Sequence, residues 1–166
     1  FDHLYKKELF RLSRGANNAH GEEWEKLQAE FEVRLAKMKK EAIQTGWLKP
    51  QGVYGLFPCQ ADGDELVIFD PADTSKTVTR FTFPRQPTGE NLCLADYFAP
   101  IGADKMDVVA FQVVTVGQEA TEKFDEMLAA GDYSEAYFVH GLAVQTAEAA
   151  AEYLHRHIQR ELGLAE

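Results

Sequence analysis

The chain has 166 residues, with 17 Lys and Arg against 27 Asp and Glu, a formal charge of −10. At 45% hydrophobic and 11% aromatic residues it has the make-up of a soluble globular domain, and its length lets one core bury most of the unfolded surface, so a single domain is expected. The acidic balance excludes a nucleic-acid binder, which needs a basic stripe, and no apolar run approaches the roughly 20 residues that span a bilayer.

The first third reads as helix. Phe1–Arg14 is a short apolar and basic segment carrying Leu4, Leu9, Phe10 and Leu12, and Gly15–Gly21 is a polar break. From Glu22 the apolar residues Trp24, Leu27, Phe31, Leu35, Met38 and Ala42 recur at intervals of 3, 4, 4, 3 and 4, the stripe of an amphipathic helix. Glu22, Glu23 and Glu25 near its start and Lys37, Lys39 and Lys40 near its end match the helix dipole. Gly46 is placed to stop it.

The middle third reads as sheet. Val53–Phe57 leads through Pro58 and a polar turn at Ala61–Asp64 into Leu66–Phe69, the pattern of a hairpin. After a turn at Pro71–Ser75, Thr77–Phe83 supplies a third strand. Asp107–Val116, rich in Val and Phe and followed by Gly117, reads as a well-buried fourth. The long connection Arg85–Asp104 between them has the length of a loop that covers something or works.

The last third returns to helix. Glu119–Ala130 carries Phe124, Met127 and Leu128 and ends at Gly131. From Tyr133 to about Glu161, Tyr137, His140, Val144, Ala147, Ala151, Leu154 and Ile158 recur at intervals of 3 and 4. That spacing predicts a helix roughly 40 Å long, with His140 as a core histidine. Helix, antiparallel meander and helices in that order make an α+β fold rather than alternating βαβ units.

Little in this pattern carries chemistry. Cys59 and Cys93 are too few for a disulfide framework or a zinc site and read as small apolar residues; cysteine usage this sparse fits a reducing cytoplasm. His155 and His157, two apart on a helix, face different ways, and Glu152-x-x-His155 lacks the second copy that a di-metal site needs. Phosphate-binding glycine loops and serine nucleophile elbows are missing. The one notable group is Glu148. It shares a stripe with Glu152 and His155, and Ala147, Ala149, Ala150 and Ala151 around it leave room for a cationic or amino-bearing ligand to reach its carboxylate. The plainer reading is an Ala-rich helix with both glutamates solvated.

Four stretches, Gly52–Asp70 (GVYGLFPCQADGDELVIFD), Arg85–Pro100 (RQPTGENLCLADYFAP), Asp107–Gly117 (DVVAFQVVTVG) and Ala143–Gly163 (AVQTAEAAAEYLHRHIQRELG), together resemble the activation domain of cobalamin-dependent methionine synthase. The likeness runs from about Leu4 to Gly163. It implies a C-shaped single domain with a twisted antiparallel sheet flanked by helices. It also implies a reactivation module that binds S-adenosylmethionine for reductive methylation of cob(II)alamin to methylcobalamin, a methyltransferase function. The cobalamin would be held by a cobalamin-binding domain of the same enzyme, the electron would come from a flavodoxin-type reductant, and the setting would be cytoplasmic.

By motif, Glu148 matches the family's S-adenosylmethionine-contacting glutamate. An acidic contact from the N-terminal segment falls near Asp2 or Tyr5, and the resemblance does not choose between them. The family continues past the long helix to an Arg-Pro-x-x-Gly-Tyr-Pro ligand loop, whereas this sequence stops at Glu166 and opens on Phe1. Both ends therefore read as those of a piece of a longer polypeptide, and the isolated piece is expected to be inactive. A capping or docking domain that keeps the scaffold without binding S-adenosylmethionine is the alternative.

Overall fold

The structure, a computed structural model, describes residues 21–164. The predicted segment Phe1–Arg14 and nearly all of the polar break after it lie outside the described residues. Three α-helices and four strands follow in the order α1 (Glu22–Thr45), β1 (Gln51–Asp62), β2 (Glu65–Asp70), β3 (Asp73–Thr82), β4 (Asp107–Thr115), α2 (Glu119–Ala129) and α3 (Tyr133–Glu161). The strands form one antiparallel sheet in the order β3-β2-β1-β4, so the fold is α+β as the sequence predicts. Contacts group the chain into two compact units: Tyr54–Gln112, which holds most of the sheet, and the flanking sequence on either side of it, which holds the helices.

In the helical unit, α1 buries the predicted stripe. Leu35, Met38 and Ala42 are buried, and Phe31 packs beside them. Gly46 ends the helix with φ 69°, its N–H bonded to the Ala42 carbonyl, a left-handed cap that glycine adopts without steric cost. Three acidic residues occupy the first turn, but the last turn carries no basic residue; Lys37, Lys39 and Lys40 sit before it. Trp47, Ala120 on α2, and Val139 and Leu142 on α3 complete the core. Around it, Arg34 lies 4.4 Å over the Phe138 ring and 2.9 Å from Glu135, Lys123 pairs with Glu41 at 2.6 Å, and Lys49 pairs with Glu119.

The N-terminus of α3 is capped by Asp132, whose carboxylate accepts the Glu135 N–H at 3.2 Å. Its buried face is Ala136, Val139 and Leu142, with Ile158 near the far end. This corrects the sequence reading. The predicted stripe is rotated by one residue from the buried one, leaving Tyr137 and Val144 50% and 41% exposed and His140 on the surface. Alanine occupies several faces of this helix, so spacing alone left the inward face undetermined, and the large side chains of α1 and α2 select it.

In the sheet unit, β1 and β2 form the predicted hairpin, with Asp62 opposite Glu65 and Gly63 at φ 63° as the first of two loop residues. β1 is longer than predicted and runs through Pro58. Pairing with β2 begins at Cys59↔Ile68, one residue past the proline that has no N–H to donate. β3 pairs with β2 through a register shift near Phe69, where the Asp70 carboxylate accepts the Ala72 N–H at 2.8 Å. The reading of β4 as well buried is also corrected. It is an edge strand, with Val108 and Val113 45% and 68% exposed, because its apolar content follows from β propensity and not from cover on both faces. Phe111 on β4 packs against Phe57 and Phe81 with ring centroids 5.8 and 5.5 Å away.

The long connection after β3 is anchored by Arg85. Its guanidinium donates to Asp64 (2.6 and 3.0 Å), to Asp96 (2.8 and 2.9 Å) and to the Asn91 carbonyl (2.7 Å), using every N–H it has. These bonds tie the hairpin loop to the short 3-10 helix Leu94–Tyr97. Asp96 also accepts the Cys93 N–H at 2.8 Å, and Arg85, then this N–H, hold its carboxyl below the usual range. Cys93 and Ala95 are buried with Ala61 in a small core.

Candidate functional site

Glu148 lies on α3, exposed, and makes no hydrogen bond or ion pair with any described residue. Glu152 and His155, on the same stripe, are exposed as well. The carboxylate therefore stands on an outward ridge of the helix, away from Ala136, Val139 and Leu142. The expectation that its stripe adjoins a core face at Val144–Ala151 does not hold, since Val144 is a surface residue and Ala147 and Ala151 are half-buried.

The alanines around Glu148 have a structural role that spacing did not reveal. Ala147 lines a groove of about 500 Å³ between α2 and α3, together with Gly117, Phe124, Ala143 and Val144. At the rim of this groove, the His140 ring packs against Phe124 with centroids 5.5 Å apart. Ala149 and Ala150 line a second cavity of about 470 Å³, closed on the other side by Gln51, Gly52 and Val114. Both volumes fall in the range of small-molecule sites. Glu148 itself lines neither cavity; it lies on α3 between the residues that line the one and the other. Their walls come from segments far apart in the chain, and no local motif could have shown them.

Cys59 and Cys93 are buried and free, as small apolar residues would be. Burial, and next the nearby Asp107 carboxylate, push the Cys59 thiol up to about 11, so it stays protonated and unreactive at neutral pH. Asp2 and Tyr5 lie outside the described residues. Among the described residues, no group of three or more His, Cys, Asp or Glu side chains could hold a metal ion, and no helix is long and apolar enough to cross a membrane.

Comparison with known proteins agrees with this architecture. The family described as the vitamin B12-dependent methionine synthase activation domain matches residues 4–165. The methionine synthases of Mycobacterium tuberculosis and Mycobacterium leprae are each 36% identical over 156 residues, covering 90% of this chain. The chain spans 13% of the length of either relative. Among solved structures, the crystal structure of the MetH reactivation domain bound to AdoHcy superposes with a TM-score of 0.76 at 30% identity, covering 84% of this chain and 44% of that one. The match over nearly the whole chain and the relatives agree: this chain belongs to the activation-domain family of vitamin B12-dependent methionine synthases.

Proposed function

We propose that this domain is the reactivation module of a cobalamin-dependent methionine synthase and binds S-adenosylmethionine on the ridge of α3 that carries Glu148. The observation that carries the reading is the AdoHcy-bound relative of the same fold; AdoHcy is what S-adenosylmethionine becomes after giving up its methyl group. The chain's own chemistry fits that ligand. S-adenosylmethionine carries an ammonium and a sulfonium, both cationic. Glu148 offers an acceptor-only carboxylate with no described partner to displace, flanked by alanines that admit close approach.

In this reading the domain binds and positions, and the cofactors carry the hard chemistry. The chemistry that S-adenosylmethionine supplies is a methyl group on a positively charged sulfur, which, with one electron from a flavodoxin-type reductant, returns cob(II)alamin on a neighbouring cobalamin-binding domain to methylcobalamin. Glu148 holds the cationic end of the ligand, and the small residues beside it give the ligand body room. Glu152, one turn further along the same stripe, adds to the negative potential that draws a cation to this face.

Calorimetric titration with AdoHcy and with S-adenosylmethionine tests this. Both are expected to bind, and Glu148→Gln, which keeps the shape and removes the charge, is expected to weaken binding roughly tenfold. Binding unchanged in Glu148→Gln would remove Glu148 from the site. No binding of either ligand by the wild-type chain would favour the capping or docking domain.

A further inference from the structure

The half of α3 that carries Glu148 is seated more lightly than the first half. Ala136, Val139 and Leu142 seat the first half in the core; in the second half only Ile158, near the far end, is buried, and residues 143–157 are half-buried or exposed. Ala149 and Ala150 line the 470 Å³ cavity. Thr146 returns its hydroxyl to the Leu142 carbonyl at 2.7 Å, a bond that takes part of the helix's own hydrogen-bonding capacity and favours bending. On the strand side of the cavity, Leu154 reaches to Gly52 at the start of β1. A Cβ at position 52 would lie 3.0 Å from Leu154 Cδ2 and 3.4 Å from Val114 Cγ1, with the Val113 carbonyl at 3.6 Å behind it. The Leu154 contact is the tight one, while those to Val114 and the Val113 carbonyl are near ordinary van der Waals distance, so Leu154 and the helix that carries it are what must give. The φ of Gly52 is not in the left-handed region, so what this position requires is the absence of a side chain and not an unusual backbone.

We infer that Gly52 is a positioning residue for the ligand carboxylate: by letting Leu154 rest against the start of β1, it sets the height at which the Glu148 half of α3 stands over Gly52 and Val114. A methyl group there wedges between Val114 and Leu154 and lifts that half of the helix. The first half stays seated at Ala136, Val139 and Leu142 and the far end at Ile158, so the displacement falls on the turns between them, which carry Glu148. A carboxylate displaced by even part of an ångström meets its ligand poorly. The inference rests on Glu148 being the ligand carboxylate proposed above.

The test compares the wild-type chain with Gly52→Ala, Gly52→Ala/Leu154→Val and Leu154→Phe, reading backbone hydrogen exchange along α3 and AdoHcy affinity by calorimetry. Gly52→Ala is expected to lower protection from about Thr146 to His157 while leaving Val139 and Leu142 protected, and to weaken AdoHcy roughly three- to tenfold. Shortening Leu154 to Val makes room for the new methyl and restores both. Leu154→Phe presses on the same contact from the helix side and reproduces the loss, which decides the matter if Gly52→Ala does not fold. Protection and affinity both at wild-type levels in Gly52→Ala would mean that Leu154 simply turns into the cavity, and would overturn the inference. Because the exchange pattern needs no ligand, it still decides the role of Gly52 if the wild-type chain binds no AdoHcy and the functional reading fails.

Discussion

Asp107 shows how much a single carboxylate can hold in place. It accepts the Ala99 N–H at 2.6 Å and lies near Lys105, and these contacts, the N–H first, hold its carboxyl below the ordinary value. A depressed folded pKa means that the stabilisation is complete above the unfolded carboxyl value, about 3.9. It is lost as the pH falls through the folded value. Asp96, held down by Arg85, and Glu119, held down by Lys49, add in the same direction. Stability is therefore expected to decline on acidification below about pH 4. Asp107→Asn should be less stable at neutral pH and lose less on acidification, as urea titrations across the acid range would show; equal acid slopes in the two proteins would contradict this. Single residues were unevenly legible in the sequence. Glu148 stood out because alanines surround it. The roles of Arg85 and Gly52 did not, because each depends on partners from other segments: Arg85 on Asp64 and Asp96, Gly52 on Leu154 and Val114.

At the scale of elements, the contrast between α1 and α3 explains which predictions survive. α1 has one apolar face, so spacing alone identified Leu35, Met38 and Ala42 as buried. α3 has alanine on several faces. Its limits were legible from the run of helix formers, but its inward face was set by what α1 and α2 offer. Leu142, fully buried within that core, is the test. Leu142→Ala is expected to cost about 2–5 kcal/mol in urea unfolding, from lost apolar contact and the space left behind. Val144→Ala, on the stripe that spacing favoured, is expected to cost well under half as much. Strands follow the same logic: composition located all four, while pairing decided that β4 is an edge and that Pro58 lies inside β1.

At the scale of the whole molecule, the core is divided. One cluster joins α1, α2 and α3 around Leu142, and another joins Cys59, Leu66 and Ile68 in the sheet, with no described residue in common. Leu142→Ala and Ile68→Ala are therefore expected to add, with a double-mutant coupling within about 0.5 kcal/mol; a larger coupling would show that the two clusters communicate. The division also has a temporal side. Tyr54–Gln112 is one continuous stretch, whereas the helical unit is assembled from sequence before and after it. During synthesis the hairpins of the inserted sheet leave the ribosome with all their partners, while α1 must wait for α3 to be made before its apolar face is covered. The helix that carries Glu148 is thus the last of the described elements to be made, and the apolar face of α1 stays uncovered until it arrives.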